Sequence, residues 1–261
     1  MERLAFNSSA AITEMRLARQ VLANEMSNMT TTGFKRSFEV SMKAFKAGGE
    51  GFDSSYQPQA AHMDFIQLKP GPLIATGRDL DIHMNEHTVL GVQAPNGETA
   101  FTRRGDLQVS IAGVLQTGNG HPVMGDGNTP ITVPPNLKVS ISDDGGVYVT
   151  NPAQPGVQNA ELVGTLMLRD ASETPLTRRE DGLFKAHNKP SGSDFASGSM
   201  KVSVMSQALE GSNVNPQEAM VKLIEQSRMF EQQVRIIKSS TDNDQAGAQH
   251  DEVERLMQAR Q

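Results

Sequence analysis

His83-Met84-Asn85-Glu86-His87 is the stretch whose residue types come nearest to chemistry. It fits the pattern H-x-x-E-H, in which two histidines one helical turn apart bind zinc and the glutamate acts as general base. That chemistry needs a helix. Here Leu80 and Ile82 alternate before the motif and Val89 and Val92 follow it, which is strand patterning. In an extended strand the two histidines stand about 13 Å apart at roughly 3.3 Å per residue. Zinc–ligand bonds of about 2 Å cannot span that distance, although a turn between them would close it. We expect His83 and His87 to be surface histidines, with no stoichiometric zinc. Gly125-Asp126-Gly127-Asn128 lacks the alternating acids and closing glutamate of a calcium loop and reads as a turn. Asp143 and Asp144 fall in a predicted hairpin, which weakens a paired-carboxylate reading. No nucleophile elbow, phosphate-binding loop or dinucleotide fingerprint occurs. Neither a catalytic residue, a metal site nor a cofactor is expected.

Composition narrows the classes further. The 261 residues carry a net charge of −6, which argues against nucleic acid as a partner. Cysteine is absent, so disulfides, cysteine zinc sites and thiol catalysis are excluded. Hydrophobic content is 37 % and aromatics 5 %, so a large compact core is not expected, and 23 Gly with 13 Pro imply many turns. The opening MERLAFNSSAAITEMRLARQ has no unbroken apolar run of the signal-peptide kind. No stretch is long enough to span a membrane.

What remains is organisation. Ala5, Ser8, Ile12, Met15, Arg19, Leu22, Met26 and Met29 recur at spacings of three and four, an apolar seam with one charged interruption. Three threonines and Gly33 follow, and the helix is expected to end between Asn28 and Gly33. Residues 41–79 show no clear period and read as a linker or extended segment. From 80 to 205 the period becomes two. LDIHM, TVLGVQ, TAFTR, LQVSI, LKVSIS, GVYVT and LVGTLMLR read as short strands separated by Gly, Asn and Asp turns. Residues 206–261 return to a helix of some 25 residues. Asn215 is its cap candidate, Pro216 its first residue and Glu218 its capping-box partner. Met220, Leu223, Ser227, Phe230, Val234, Ile237 and Thr241 form its seam. The expected fold is α+β, mainly β: an antiparallel β domain in mid-chain, with 1–40 and 206–261 helical. Two seams at opposite ends of the chain pair most economically as a coiled coil. The other reading packs each helix separately on the sheet.

LANEMSNMTTTGFKR resembles the signature of the bacterial flagellar rod and hook axial family. FTRRGDLQVSIAGVLQTGNGHPVMGDGNTPITVP is similar to that family's central β segment. LEGSNVNPQEAMVKLIEQSRMFEQQVRIIKSSTDND is similar to its C-terminal segment, in wording nearest the proximal rod subtype. HMNEHTVLGVQ departs from the Gly/Phe-rich strand common in relatives, and Glu25 and Ser27 stand where Asn and Ala are frequent. The resemblance implies a structural subunit rather than an enzyme. It implies export unfolded through the flagellar export apparatus without a cleaved signal. It also implies polymerisation with other rod subunits in the basal body, to carry torque across the periplasm. Assembly positions would be Ile12, Met15, Leu22, Met26, Met220, Leu223, Phe230, Val234 and Ile237, with Gly33 and Asn213 shaping the turns that flank the helices. A distal rod or hook subunit is the neighbouring alternative. A secreted β-rich binding module is the remoter one, because it has no need of two terminal seams. Free in solution, the termini are expected to fluctuate and proteolysis to leave a fragment near 70–205.

Overall fold

A computed structural model describes residues 2–37, 41–46, 56–61, 65–152 and 160–258. The chain divides into two compact units. One comprises Met1–Met26, Val40–His62 and Asn215–Gln261; the other comprises Ser27–Glu39 and Met63–Val214.

The second unit is antiparallel β. Its central sheet has five strands in the order Leu168–Asp170, Thr88–Gln93, Thr99–Thr102, Phe184–Ala186 and Leu176–Arg178. A three-stranded sheet places Gly146–Thr150 between Lys138–Ile141 and Glu161–Thr165. Leu107–Val109 and Leu115–Thr117 form a hairpin. Neighbouring residues on the central strands go to different clusters. Leu90, Ala100 and Leu168 join one that contains Val92, Leu115, Val123 and Val147. Val89, Phe101 and Met167 join another with Met124, Phe184 and Phe195. The sheet is therefore covered on both faces, which explains why TVLGVQ is apolar throughout rather than alternating. Gly91 sits where a Cβ would stand 2.6 Å from the Met167 sulfur, so a larger residue there would require the Met167 side chain to shift.

Turns fall where Gly, Asn and Asp place them. Ser142 and Gly145 close the hairpin between Lys138–Ile141 and Gly146–Thr150, with Gly145 N donating to Ser142 O at 2.9 Å and φ of 83° at Gly145. The Asp126 segment is likewise a turn, closed by Asn128 N on Gly125 O at 2.9 Å. Within 41–79, where the sequence shows no period, Ser41–Lys46 pairs with Tyr56–Ala61 and Leu73–Ala75 pairs with Ala208–Glu210. Pro70 and Pro72 are the kind of residue that obscures such short strands in sequence.

The first unit carries helix α1 (Glu2–Ser27) and helix α2 (Pro216–Gln258). α1 stops just before the expected window. α2 begins as the caps dictate: the Asn215 side-chain oxygen accepts the amides of Gln217 at 3.0 Å and Glu218 at 3.3 Å. At 43 residues it is far longer than the sequence pattern suggested.

Among the described residues the expected coiled coil between α1 and α2 is not formed. Among the described residues no sustained run of close backbone approach joins the two helices. Met220 is 53 % exposed, Phe230 38 % and Val234 44 %. The better-covered side of α2 carries Ala219, Lys222, Leu223, Gln226, Ser227, Gln233 and Ile237. Its centre lies about 50° round the helix from that of the heptad seam, at 100° per residue. Periodicity shows which face of a helix is apolar. It does not show what covers that face, and a side bearing Gln226 and Gln233 offers no continuous row of knobs for a coiled coil.

Candidate functional site

The segments that follow α1 and precede α2 meet inside the β unit, and a buried charge cluster holds them there. Lys35, Arg103 and Glu210 each have wholly buried side chains. Glu210 Oε1 accepts Lys35 Nζ at 2.7 Å and the amide of Gly71 at 3.0 Å. Its Oε2 accepts Arg103 Nε at 2.8 Å and lies 2.7 Å from Arg103 Nη2. The cations have carbonyl partners too. Lys35 Nζ donates to Lys69 O at 2.9 Å, and Arg103 Nη1 to Glu86 O and Thr88 O, both at 2.7 Å. Two cations thus share one carboxylate, with three carbonyl dipoles easing the surplus positive charge. Burial pulls the Lys35 ammonium down to about 8, and neighbouring Arg103 pulls the same way against the pull of Glu210.

The backbone around this cluster is as tightly tied. Gly33 N donates to Glu210 O at 2.7 Å, and Asn213 N to Phe34 O at 3.3 Å. The Asn213 side chain accepts Arg36 N at 2.7 Å and donates to Gln67 O at 3.0 Å. Phe34 lies under the Arg178 guanidinium, 4.4 Å from ring centroid to Cζ, while Arg178 Nη2 donates to Lys35 O. Gly33 has φ of 69°, and a Cβ there would stand 2.3 Å from Arg103 O. Gly71 is pressed as closely on the C-terminal segment, with a Cβ position 2.1 Å from Gly211 O. In both places the two backbones approach closer than any side chain permits.

The other residues singled out in sequence are distributed more widely. Leu22 is buried; Ile12, Met15, Met26, Leu223 and Ile237 are half-buried; Met220, Phe230 and Val234 are exposed. Gly33 and Asn213 both belong to the junction. His83 lies on the strand Ile82–Met84 opposite Met205, and His87 ends a turn in which Thr88 N donates to Asn85 O at 2.9 Å. Burial, above all, lowers the His83 pKa. Among the described residues no three His, Cys, Asp or Glu side chains gather as a metal site. Sequence reasoning missed Lys35, Arg103 and Glu210. The one available signal is a charge within two residues of a glycine in each of GFK, TRRG and LEG.

Two pieces of the junction, those carrying Arg103 and Glu210, fall in segments shared by known proteins. Residues 88–149 match the flagellar hook protein FlgE/F/G D1 domain, and residues 205–249 match the flagellar basal body rod FlgEFG protein C-terminal family. The flagellar basal-body rod protein FlgF of Salmonella typhimurium is 32 % identical over 94 % of this chain and 96 % of its own length. FlgF of Escherichia coli is 31 % identical over 93 % and 96 %. FlgG of Buchnera aphidicola (strain Sg) is 26 % identical over 89 % and 94 %. A β unit matched along its centre, a matched C-terminal segment that supplies Glu210, and FlgF likeness over almost the full length together show that the chain belongs to the FlgE/F/G family of flagellar hook and basal-body rod proteins, as a FlgF-like structural rod subunit.

Proposed function

We propose that the chain is a non-enzymatic subunit of the proximal rod that assembles through its terminal helices onto neighbouring rod subunits. The observation that carries this is the junction. Glu210 and Asn213 bind the two segments leading to the helices into the β unit, so force arriving on either helix passes directly to the other segment and to the sheets. An enzyme would need a reactive group open to substrate, whereas the charge cluster at the junction is sealed inside. Met220, Phe230 and Val234 supply exposed apolar area that a neighbouring subunit would bury, and the half-buried Ile12, Met15, Met26, Leu223 and Ile237 would add to it. A heterologous contact of this kind builds an open helical array when its rotation does not close. Gly33 and Asn213 set the turns, and Leu22 is already covered. By its family likeness the subunit is delivered by the flagellar export apparatus to the basal body in the periplasmic space. No helix among the described residues is long and apolar enough to cross a membrane. The test is electron microscopy of basal bodies purified from a deletion strain, with and without the gene restored. Loss of the rod, recovered on complementation, is expected. Complete rods in the deletion strain would overturn the proposal.

A further inference from the structure

We propose that residues 204–214 are a strap that closes onto the β unit after its sheets have formed, with Glu210 as the latch. Every strand of the five- and three-stranded sheets lies between Thr88 and Ala186, so both sheets are complete without the strap. The strap is held by two ladders of three residues each: Val204–Ser206 on Ile82–Met84, and Ala208–Glu210 on Leu73–Ala75. Gln207, with φ of 63°, makes the bend between them. Such short ladders offer little cooperative hold of their own, and the strap's anchors are few: Val204, Ala208 and Val214.

The latch supplies what the ladders lack. Before Glu210 arrives, Lys35 and Arg103 are two cations converging on one buried place, and among the described residues no other acidic side chain forms an ion pair with either. That place cannot close around uncompensated charge, so the segments bearing Lys35 and Gly71 stay open until the carboxylate enters. The contact is also remote in sequence, 175 residues from Lys35 to Glu210, and contacts of that separation form late. Closure would make Gly33 and Glu210 neighbours and so join the segment that follows α1 to the segment that precedes α2. If the rod reading holds, a subunit becomes ready to assemble only when its C-terminal segment has docked.

Pulse-labelled hydrogen exchange during refolding of the full chain tests the order. The amides of Gly33, Gly71, Thr76 and Gly211 depend on the strap. Those of Gly91, Met124, Leu166 and Met167 depend on the sheets. Sheet amides are expected to gain protection in an earlier phase than strap amides. Simultaneous protection would overturn the proposal. In the folded full chain, Glu210→Gln is expected to speed exchange of the four strap amides by about a hundredfold or more, as breaking a buried ion pair does, and to leave the sheet amides within about twofold of wild type. Equal acceleration of both sets would show one cooperative unit and sink the latch. Should Glu210→Gln fail to fold, exchange of the unaltered chain in graded denaturant decides: strap amides opening before the sheets supports the proposal, and opening only with them overturns it.

Discussion

At the scale of the residue, the junction makes asymmetric demands. Gly33 and Gly182 both have positive φ, yet only Gly33 faces a backbone that a Cβ would strike. Gly182→Ala should cost about 1–2 kcal/mol for the left-handed conformation alone. Gly33→Ala should cost clearly more, because the Arg103 carbonyl must move as well; equal losses in urea unfolding would show that the close approach relaxes freely. The charge cluster is asymmetric too. Glu210→Ala strands two buried cations and should cost at least about 3–5 kcal/mol, the range for breaking a buried pair. Lys35→Met leaves Arg103 and Glu210 as a neutral pair and should cost less; the reverse order would refute the sharing of one carboxylate by two cations. Lys35 also sets a pH dependence. Folding lowers its pKa to about 8, against about 10.4 for an unperturbed lysine. Below that window both states hold the proton, and the cost of burying the charge is present in full. Through the window the unfolded chain binds more protons, so stability should rise with pH. The rise should be smaller in Lys35→Met, compared by urea midpoints across the same range. Matching slopes would show that Lys35 does not titrate there.

Among the elements, the strands and caps were legible and the partners of the helices were not. Thr88–Gln93, Thr99–Thr102 and Gly146–Thr150 stand where β-branched runs end in Gly, Asn or Asp turns. Asn215 caps α2 because a side-chain oxygen can reach the second and third helical amides from no other position. These are local events, and local sequence encodes them. Coverage of a helix is settled by distant residues, so the seam told of an apolar face without telling what lies against it. α2 makes this testable. Phe230→Asp replaces an already exposed ring, so the free chain should lose no more than about 0.5 kcal/mol, as surface substitutions do. The same change puts a charge where the proposed neighbour packs. We expect the subunit to be made and exported but absent from basal bodies, with poor motility. Glu231→Ala, on the adjoining face, should incorporate more nearly normally. Equal defects from the two substitutions, or unfolding of the free Phe230→Asp chain, would remove Phe230 from the interface.

At the scale of the molecule, the lock was hidden because its members are so far apart along the chain. Arg103 and Glu210 are separated by 107 residues and Lys35 and Glu210 by 175, and each charge looks locally like a solvated residue beside a turn. With no sign that these charges converge, the sequence placed the protease-resistant fragment near 70–205. The compact unit includes Ser27–Glu39 and continues to Val214. Physical reasons support the larger extent: Gly33, Phe34, Lys35 and Arg36 donate to or accept from residues 210–213, and Ser37 bridges to Ile66. A protease must unfold a segment locally before cutting it, so susceptibility follows the free energy of local opening rather than distance from the terminus. Limited proteolysis of the free chain, followed by native separation and mass spectrometry, should therefore recover residues near 27–39 together with 63–214, whether or not the intervening 40–62 has been cut. Glu210→Gln should release the 27–39 piece from that core. A wild-type core beginning near residue 70 and ending near 205 would show that the junction opens more readily than its buried ion pairs imply, and would undo the mechanical role assigned to it.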